Sequence, residues 1–401
     1  MSNCLVAQSG GPTSVINATL AGIVKANQLN PYYDHVYGGL NGIEGVMNNR
    51  LYDLTNMSEE ENRLLKQTPS SALGSCRYKL KRDCEDDFKL LFDILDKHDI
   101  ETFFYIGGND SMDTVAALNE YAENNKIKGH RFVGCPKTVD NDLLFIDHCP
   151  GYASAAKYIA TTALETWLDF NVYTRQEVFI LETIVRDAGW LAASACLSKH
   201  VDILILPEVA FDAETFLKKV AETVRMKNKC YIVVSEGAKD SNGNYLASSG
   251  SKNDGFAHEV LGGAANALKE MIIKSGAANR VKVQDLSNAQ RCYAPMQSLI
   301  DVEEAYRLGL SAHMHSINPN FSGKMVALRR RKIDKYDVEF FTVDADKVAN
   351  FVKAFPLDWI LKDYNGISDE AIAYIKPLIE GEPVILYKDG LPQYIKPYYM
   401  R

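Results

Sequence analysis

No two of the eight cysteines stand in a CxxC spacing, so neither a zinc site nor a disulfide framework is indicated. Cys4, Cys76, Cys84, Cys135, Cys149, Cys196, Cys230 and Cys292 are scattered along the chain, and reduced, mostly buried thiols are the expectation. No apolar run approaches the ~18 residues that a membrane span needs. The opening residues, MSNCLVAQSGGP, lack the basic and apolar regions of a secretory signal. A cytoplasmic protein with no membrane partner is expected. Fixed-period repeats and low-complexity blocks are also missing, which excludes solenoids and disorder. Nor is there an excess of positive charge: the formal net charge is −8, against a nucleic-acid binder, whose affinity comes from clustered cations on phosphates.

What is present describes a globular protein with a large core. The chain has 401 residues, 46% of them apolar and 24% charged, enough for two packed lobes. Short apolar runs at 4–8, 102–106, 131–135, 178–183, 202–207 and 231–236 alternate with helical patterns near 14–28, 111–124, 152–168, 212–226 and 257–274. That rhythm is the signature of βαβ units. The expected fold is α/β, with two doubly wound Rossmann-like lobes and mainly parallel sheets. The seam is placed after residue 150. On this division a lobe of residues 1–150 is completed by later chain near 290–345, and a lobe of residues 151–289 by 346–401.

In such sheets ligands collect where loops leave the carboxyl ends of strands, beside helix N-termini with free N–H groups. Three loops of this kind carry unusual residues. Ser9-Gly10-Gly11-Pro12-Thr13-Ser14 follows the first strand; it is neither a Walker A loop nor a GxGxxG fingerprint. Its glycines either form a structural turn or let backbone amides approach a phosphate. Gly107-Gly108-Asn109-Asp110-Ser111 follows the second apolar run and either caps a helix or cradles phosphate beside a magnesium ion. Pro136-Lys137-Thr138-Val139-Asp140-Asn141-Asp142 follows the third, and two carboxylates beside a lysine at a strand end are hard to explain as packing. A carboxylate there can take a proton from an attacking hydroxyl, the base role in phosphoryl transfer. Cations at Arg77, Lys137, Arg186 and Arg291 stand out against the acidic background and suggest phosphate ligands.

In order, spacing and placement the three loops together resemble the phosphofructokinase family. The likeness extends through LGSCRY (73–78), ETIVRDAGWLAA (182–193), PEVAF (207–211), VVSEGA (233–238) and SNAQRC (287–292), and is close to the diphosphate-dependent branch. The resemblance implies the phosphofructokinase fold and reversible transfer of a phosphoryl group from diphosphate to the C1 hydroxyl of D-fructose 6-phosphate, with Mg²⁺. By the same likeness Gly10 and Gly11 hold donor phosphate with backbone amides, Arg77 approaches the donor, and Asn109 is the magnesium-contact position. Asp140 is the base, with Thr138 and Asp142 positioning sugar and metal. Glu236 binds sugar hydroxyls, and the guanidinium fork of Arg291 clamps the 6-phosphate. ATP-using members have glycine at Asp110 and, in bacteria, commonly at Lys137. A carboxylate at 110 occupies and charges the space for a nucleotide's α-phosphate, and Lys137 adds a cation near the leaving phosphate, so both favour diphosphate. A homodimer or homotetramer is implied as well.

Two stretches depart from the family pattern. Its Met-Gly-Arg sugar-binding triplet reads Ile184-Val185-Arg186 here, so a flexible glycine has become a stiff, β-branched valine. The arginines with which a neighbouring subunit reaches the sugar phosphate are also displaced: Lys282 stands at one position with Arg280 nearby, and only Arg175 lies close to the other. Sedoheptulose 7-phosphate is therefore an alternative acceptor, and a catalytically weak regulatory paralogue an alternative role. His258 with Gly262 and Gly263 is assigned to helix packing, Glu208 to a cap, and the tail PQYIKPYYM to docking on the body through its tyrosines.

Overall fold

The computed structural model describes residues 2–246, 263–331 and 335–401. His258 and Gly262 lie outside the described residues. The pleat of β1 (Asn3–Gln8) sends alternate side chains to opposite faces. Cys4 and Val6 join one apolar cluster with Leu20 and Ile23 of the helix Ile16–Leu29; Leu5 and Ala7 join another with Leu91 and Leu95 of the helix Glu85–Lys97. A sheet covered on both faces can be parallel and almost wholly apolar. β2 (Val36–Gly39), β3 (Leu51–Asp53), β4 (Ile100–Gly107) and β5 (Arg131–Pro136) extend it.

A second sheet contains β6 (Glu177–Thr183), β7 (Ile203–Ile205), β8 (Lys229–Ser235) and β9 (Val281–Asp285), in the order β7-β8-β6-β9 and all parallel. It is sandwiched in the same way: Phe179 and Leu181 pack to one side, Val178 and Ile180 to the other. The chain then returns to the first sheet as β10 (Lys324–Arg330) and β11 (Val338–Asp344), giving the order β11-β10-β5-β4-β1-β2-β3. Within these two sheets, among the described residues, only the β2–β3 and β10–β11 pairs are antiparallel. Two doubly wound, mainly parallel sheets are thus present, as the βαβ rhythm indicated.

This topology opens crevices at fixed places. After β1 the chain turns to β2 on one side, then crosses to β4 on the other, so the loops leaving β1 and β4 diverge. In the smaller sheet β6 lies between β8 and β9, and the loops after all three leave from the same end. The helix that follows the β1 loop, Ile16–Leu29, crosses the helix Leu299–Ser316 backbone to backbone: a Cβ added to Gly22 or Gly309 would lie 2.2 Å from a main-chain oxygen of the other.

The C-terminal tail docks on the first lobe. Tyr398 is buried, its N–H donates to the Ala72 carbonyl at 2.8 Å, and the Ile395 N–H donates to Thr68 Oγ1 at 3.1 Å, whereas Tyr394 and Tyr399 stay exposed. None of the described helices is long and apolar enough to cross a membrane.

Candidate active site

All but one of the expected site residues are delivered by strand ends. Gly10 and Gly11 follow β1, Asn109 and Asp110 open the helix after β4, and Lys137, Thr138, Asp140 and Asp142 follow β5. Ile184, Val185 and Arg186 follow β6, Glu236 follows β8 and Arg291 follows β9, while Arg77 comes from the loop ahead of the helix Glu85–Lys97. All fourteen line one cavity of about 480 Å³. Asp187, Ser287 and Asn288, which carried no signal of their own in the sequence, line it too.

Inside this cavity the loops brace one another. Lys137 Nζ donates to the Gly11 carbonyl at 2.6 Å, and Thr138 Oγ1 accepts from the Asp140 N–H at 3.1 Å. Glu236 Oε1 accepts from the Val185 N–H at 2.9 Å, tying the β8 loop to the β6 loop. Gly237 is required there: a Cβ would lie 1.9 Å from the Arg186 carbonyl oxygen. Arg186 lines the cavity, and its Nε is buried without a hydrogen-bond partner among the described residues. Lys79 Nζ sits 3.7 Å from Asp110 Oδ1 at the donor end.

Burial governs the electrostatics. It pushes the Asp142 carboxyl up to about 7, with the neighbouring Asp140 charge adding to the effect. Asp140 is raised by burial against the attraction of Lys137 and Arg291, and Glu236 is raised by burial. The same loss of water lowers the Lys137 ammonium to about 8 and lowers Arg291, next to Arg77. Carboxylates and cations alike are thus moved toward neutrality, and such shifts gathered in one cavity mark a functional site.

Other polar groups expected to act at a site are engaged within the protein. The Gly10 N–H donates to the Cys76 carbonyl at 3.1 Å. The Asn109 side chain is likewise committed: Oδ1 accepts from the Asn350 N–H, and Nδ2 donates to the Phe351 carbonyl. No sequence pattern pointed to this, since residues 350–351 lie in an irregular stretch far along the chain. Arg175 and Lys282 are not at the cavity; with Lys229 they surround the Glu177 carboxylate at the amino end of β6, opposite the end that carries Ile184. Glu208 is a structural acceptor, taking the N–H groups of Gly189 at 2.7 Å and Phe355 at 2.8 Å.

The sequence pattern of a family described as phosphofructokinase matches residues 3–315. The chain is 38% identical to the pyrophosphate–fructose 6-phosphate 1-phosphotransferase of Methylococcus capsulatus, over 98% of this chain and 95% of that protein. It is 33% identical to a sulfofructose kinase of Alkalicoccus urumqiensis, over 86% of this chain and 88% of that one. The crystal structure of a pyrophosphate-dependent phosphofructokinase from Marinobacter aquaeolei superposes with a TM-score of 0.88 at 34% identity, covering 98% of this chain and 95% of that one.

Val185 is a conformational outlier. Its φ is +100°, a region in which a β-branched residue is strained, and its side chain is buried. Two hydrogen bonds hold it there: its N–H donates to Glu236, and its carbonyl accepts from Ser235 Oγ at 2.6 Å. Strain of roughly 1–3 kcal/mol is typical of such a residue. Truncating a buried aliphatic side chain normally destabilises by roughly 2–5 kcal/mol. Val185→Gly should therefore destabilise by only about 1–2 kcal/mol, because relief of strain offsets part of the lost burial. Chemical denaturation measures this, and a loss above about 3 kcal/mol would contradict the strain.

Proposed function

The chain belongs to the phosphofructokinase family, and we propose that its cavity transfers a phosphoryl group from diphosphate to the C1 hydroxyl of D-fructose 6-phosphate, reversibly, giving fructose 1,6-bisphosphate and phosphate. The observation that carries this reading is the convergence of the β1, β4 and β5 loops, with Asp110 and Lys137, on one cavity with the arginines of the acceptor loops. Asp140 takes the C1 hydroxyl proton as that oxygen attacks the terminal phosphorus, and the bond from phosphorus to the bridging oxygen breaks. Lys137 and Arg77 meet the charge on the departing phosphate. Arg186 and Arg291 hold the sugar phosphate, and Glu236 accepts from sugar hydroxyls. Asp110, with Lys79 beside it, closes the donor end against a longer nucleotide chain.

Among the described residues no group of three or more His, Cys, Asp or Glu side chains is arranged to hold a metal by itself. Two desolvated carboxylates, Asp140 and Asp142, fit an ion that arrives with the donor. Magnesium bound there would neutralise diphosphate oxygens and orient the donor for in-line attack. Asp142 is the carboxylate best placed to share it, because Asp140 is the proton acceptor. A homodimer or homotetramer working in the cytoplasm is part of this reading, with Arg175 and Lys282 as groups a neighbour could lend. Val185 favours a second acceptor reading, in which a differently shaped sugar phosphate such as sedoheptulose 7-phosphate is used.

With Mg²⁺ and fructose 6-phosphate, turnover should depend on diphosphate and not on ATP, and Asp140→Asn should lower kcat by at least about a hundredfold. ATP-only turnover would overturn the roles of Asp110 and Lys137; faster turnover of sedoheptulose 7-phosphate would select the second acceptor. The pH profile of kcat/KM should be bell-shaped. The base must be ionised, and burial raises Asp140, so activity rises with pH above the ordinary carboxylate range. Lys137 must be charged, so activity falls above about 8. A flat profile from pH 6 to 9 would contradict this assignment.

A further inference from the structure

The stretch 350–355 has no regular secondary structure and lies beyond the residues that the family pattern matches, yet it touches three loops of the cavity. Its first two residues bind both polar atoms of Asn109, at the start of the helix after β4. Lys353 then contacts the loop after β5 at two points. Its main-chain N–H donates to the Asp142 carbonyl at 2.6 Å, and its ammonium donates to the carbonyls of Ile146 at 3.1 Å and Asp147 at 2.9 Å. The Lys353 carbonyl accepts from Trp190 Nε1 at 2.9 Å, and its ammonium lies 5.2 Å from the Trp190 ring. Trp190 opens the short helix that ends the Arg186 loop. Finally the Phe355 N–H donates to Glu208, the acceptor that also holds Gly189.

We propose that Lys353 is a positioning residue for the carboxylate loop, and that residues 350–355 are a strap holding the donor, carboxylate and arginine loops in one register. This rests on the phosphotransfer reading of the cavity. Two features set the contact apart from ordinary packing. A lysine ammonium is costly to desolvate unless acceptors are fixed around it, and here two main-chain carbonyls of one irregular loop are those acceptors. That loop has no β-ladder of its own across 142–147, so its backbone groups are held from outside. Misplacement of reacting groups by ~1 Å can cost on the order of a hundredfold in rate, which is the scale on which a strap of this kind acts.

The test compares Lys353→Met, Lys353→Arg and Trp190→Phe with the unaltered protein. Lys353→Met should lower kcat at least tenfold while KM for diphosphate and for fructose 6-phosphate changes less than threefold, and amide exchange across 142–147 should quicken. Lys353→Arg, which can donate to both carbonyls, should recover most of the lost kcat. Trp190→Phe should lower kcat a few-fold with no change in donor KM. A Lys353→Met protein that is folded, with kcat within twofold of the original and unchanged exchange, would overturn the proposal; so would a loss confined to KM. If Lys353→Met does not fold, unchanged kcat and exchange in Trp190→Phe overturn it. Should the unaltered protein turn over neither donor, the phosphotransfer reading fails, and the exchange measurement still decides whether the strap orders the loop.

Discussion

Loss of water around a handful of charges is the constraint on which this protein depends. Asp140, Asp142, Glu236, Lys137 and Arg291 meet in one cavity, and burial moves each toward its neutral form. Desolvated charges of both signs are unfavourable until something completes their pairing. Under the proposed reaction, a donor carrying several negative oxygens and a divalent cation would pair with both sets. The same desolvation raises Asp140, which would make it a stronger base than an exposed aspartate, and lowers Lys137.

The fold places that constraint at its seam. Parallel strands present all their carboxyl ends on one side, so the loops after β1, β4 and β5 from one sheet can face those after β6, β8 and β9 from the other. The Gly22–Gly309 helix crossing joins the donor loop's helix to chain that lies beyond Arg291, and the 350–355 stretch joins the loops themselves. Precision in the site thus comes from backbone contacts as much as from the side chains that face substrate. Val185, held at positive φ by Glu236 and Ser235, is part of the same frame.

Much of this was legible in the sequence, for a physical reason. Parallel strands buried on both faces are written as short apolar runs, and VFILET at 178–183 corresponds to β6 at Glu177–Thr183. Of the helix expected near 257–274, the described residues show Ala264–Ser275 with Gly263 at φ +98° as its cap, and 257–262 lie outside them. Strand-end loops bearing glycine, carboxylate and lysine pointed to the cavity residues, all of which line it. What sequence alone does not carry is the use made of a polar atom once the chain is folded. Asn109 and the Gly10 amide looked free for ligands and are committed to backbone partners at 350–351 and 76. Lys353 sat in an irregular, unpatterned stretch, and its importance depends on carbonyls more than two hundred residues away in sequence.

A cavity that exchanges a phosphoryl group between sugar and diphosphate with no nucleotide must also form diphosphate in the reverse reaction. Phosphorus NMR would follow the protein with Mg²⁺, fructose 1,6-bisphosphate and inorganic phosphate. A diphosphate resonance should grow in step with fructose 6-phosphate. No diphosphate under these conditions, together with ATP formation when ADP replaces phosphate, would contradict it.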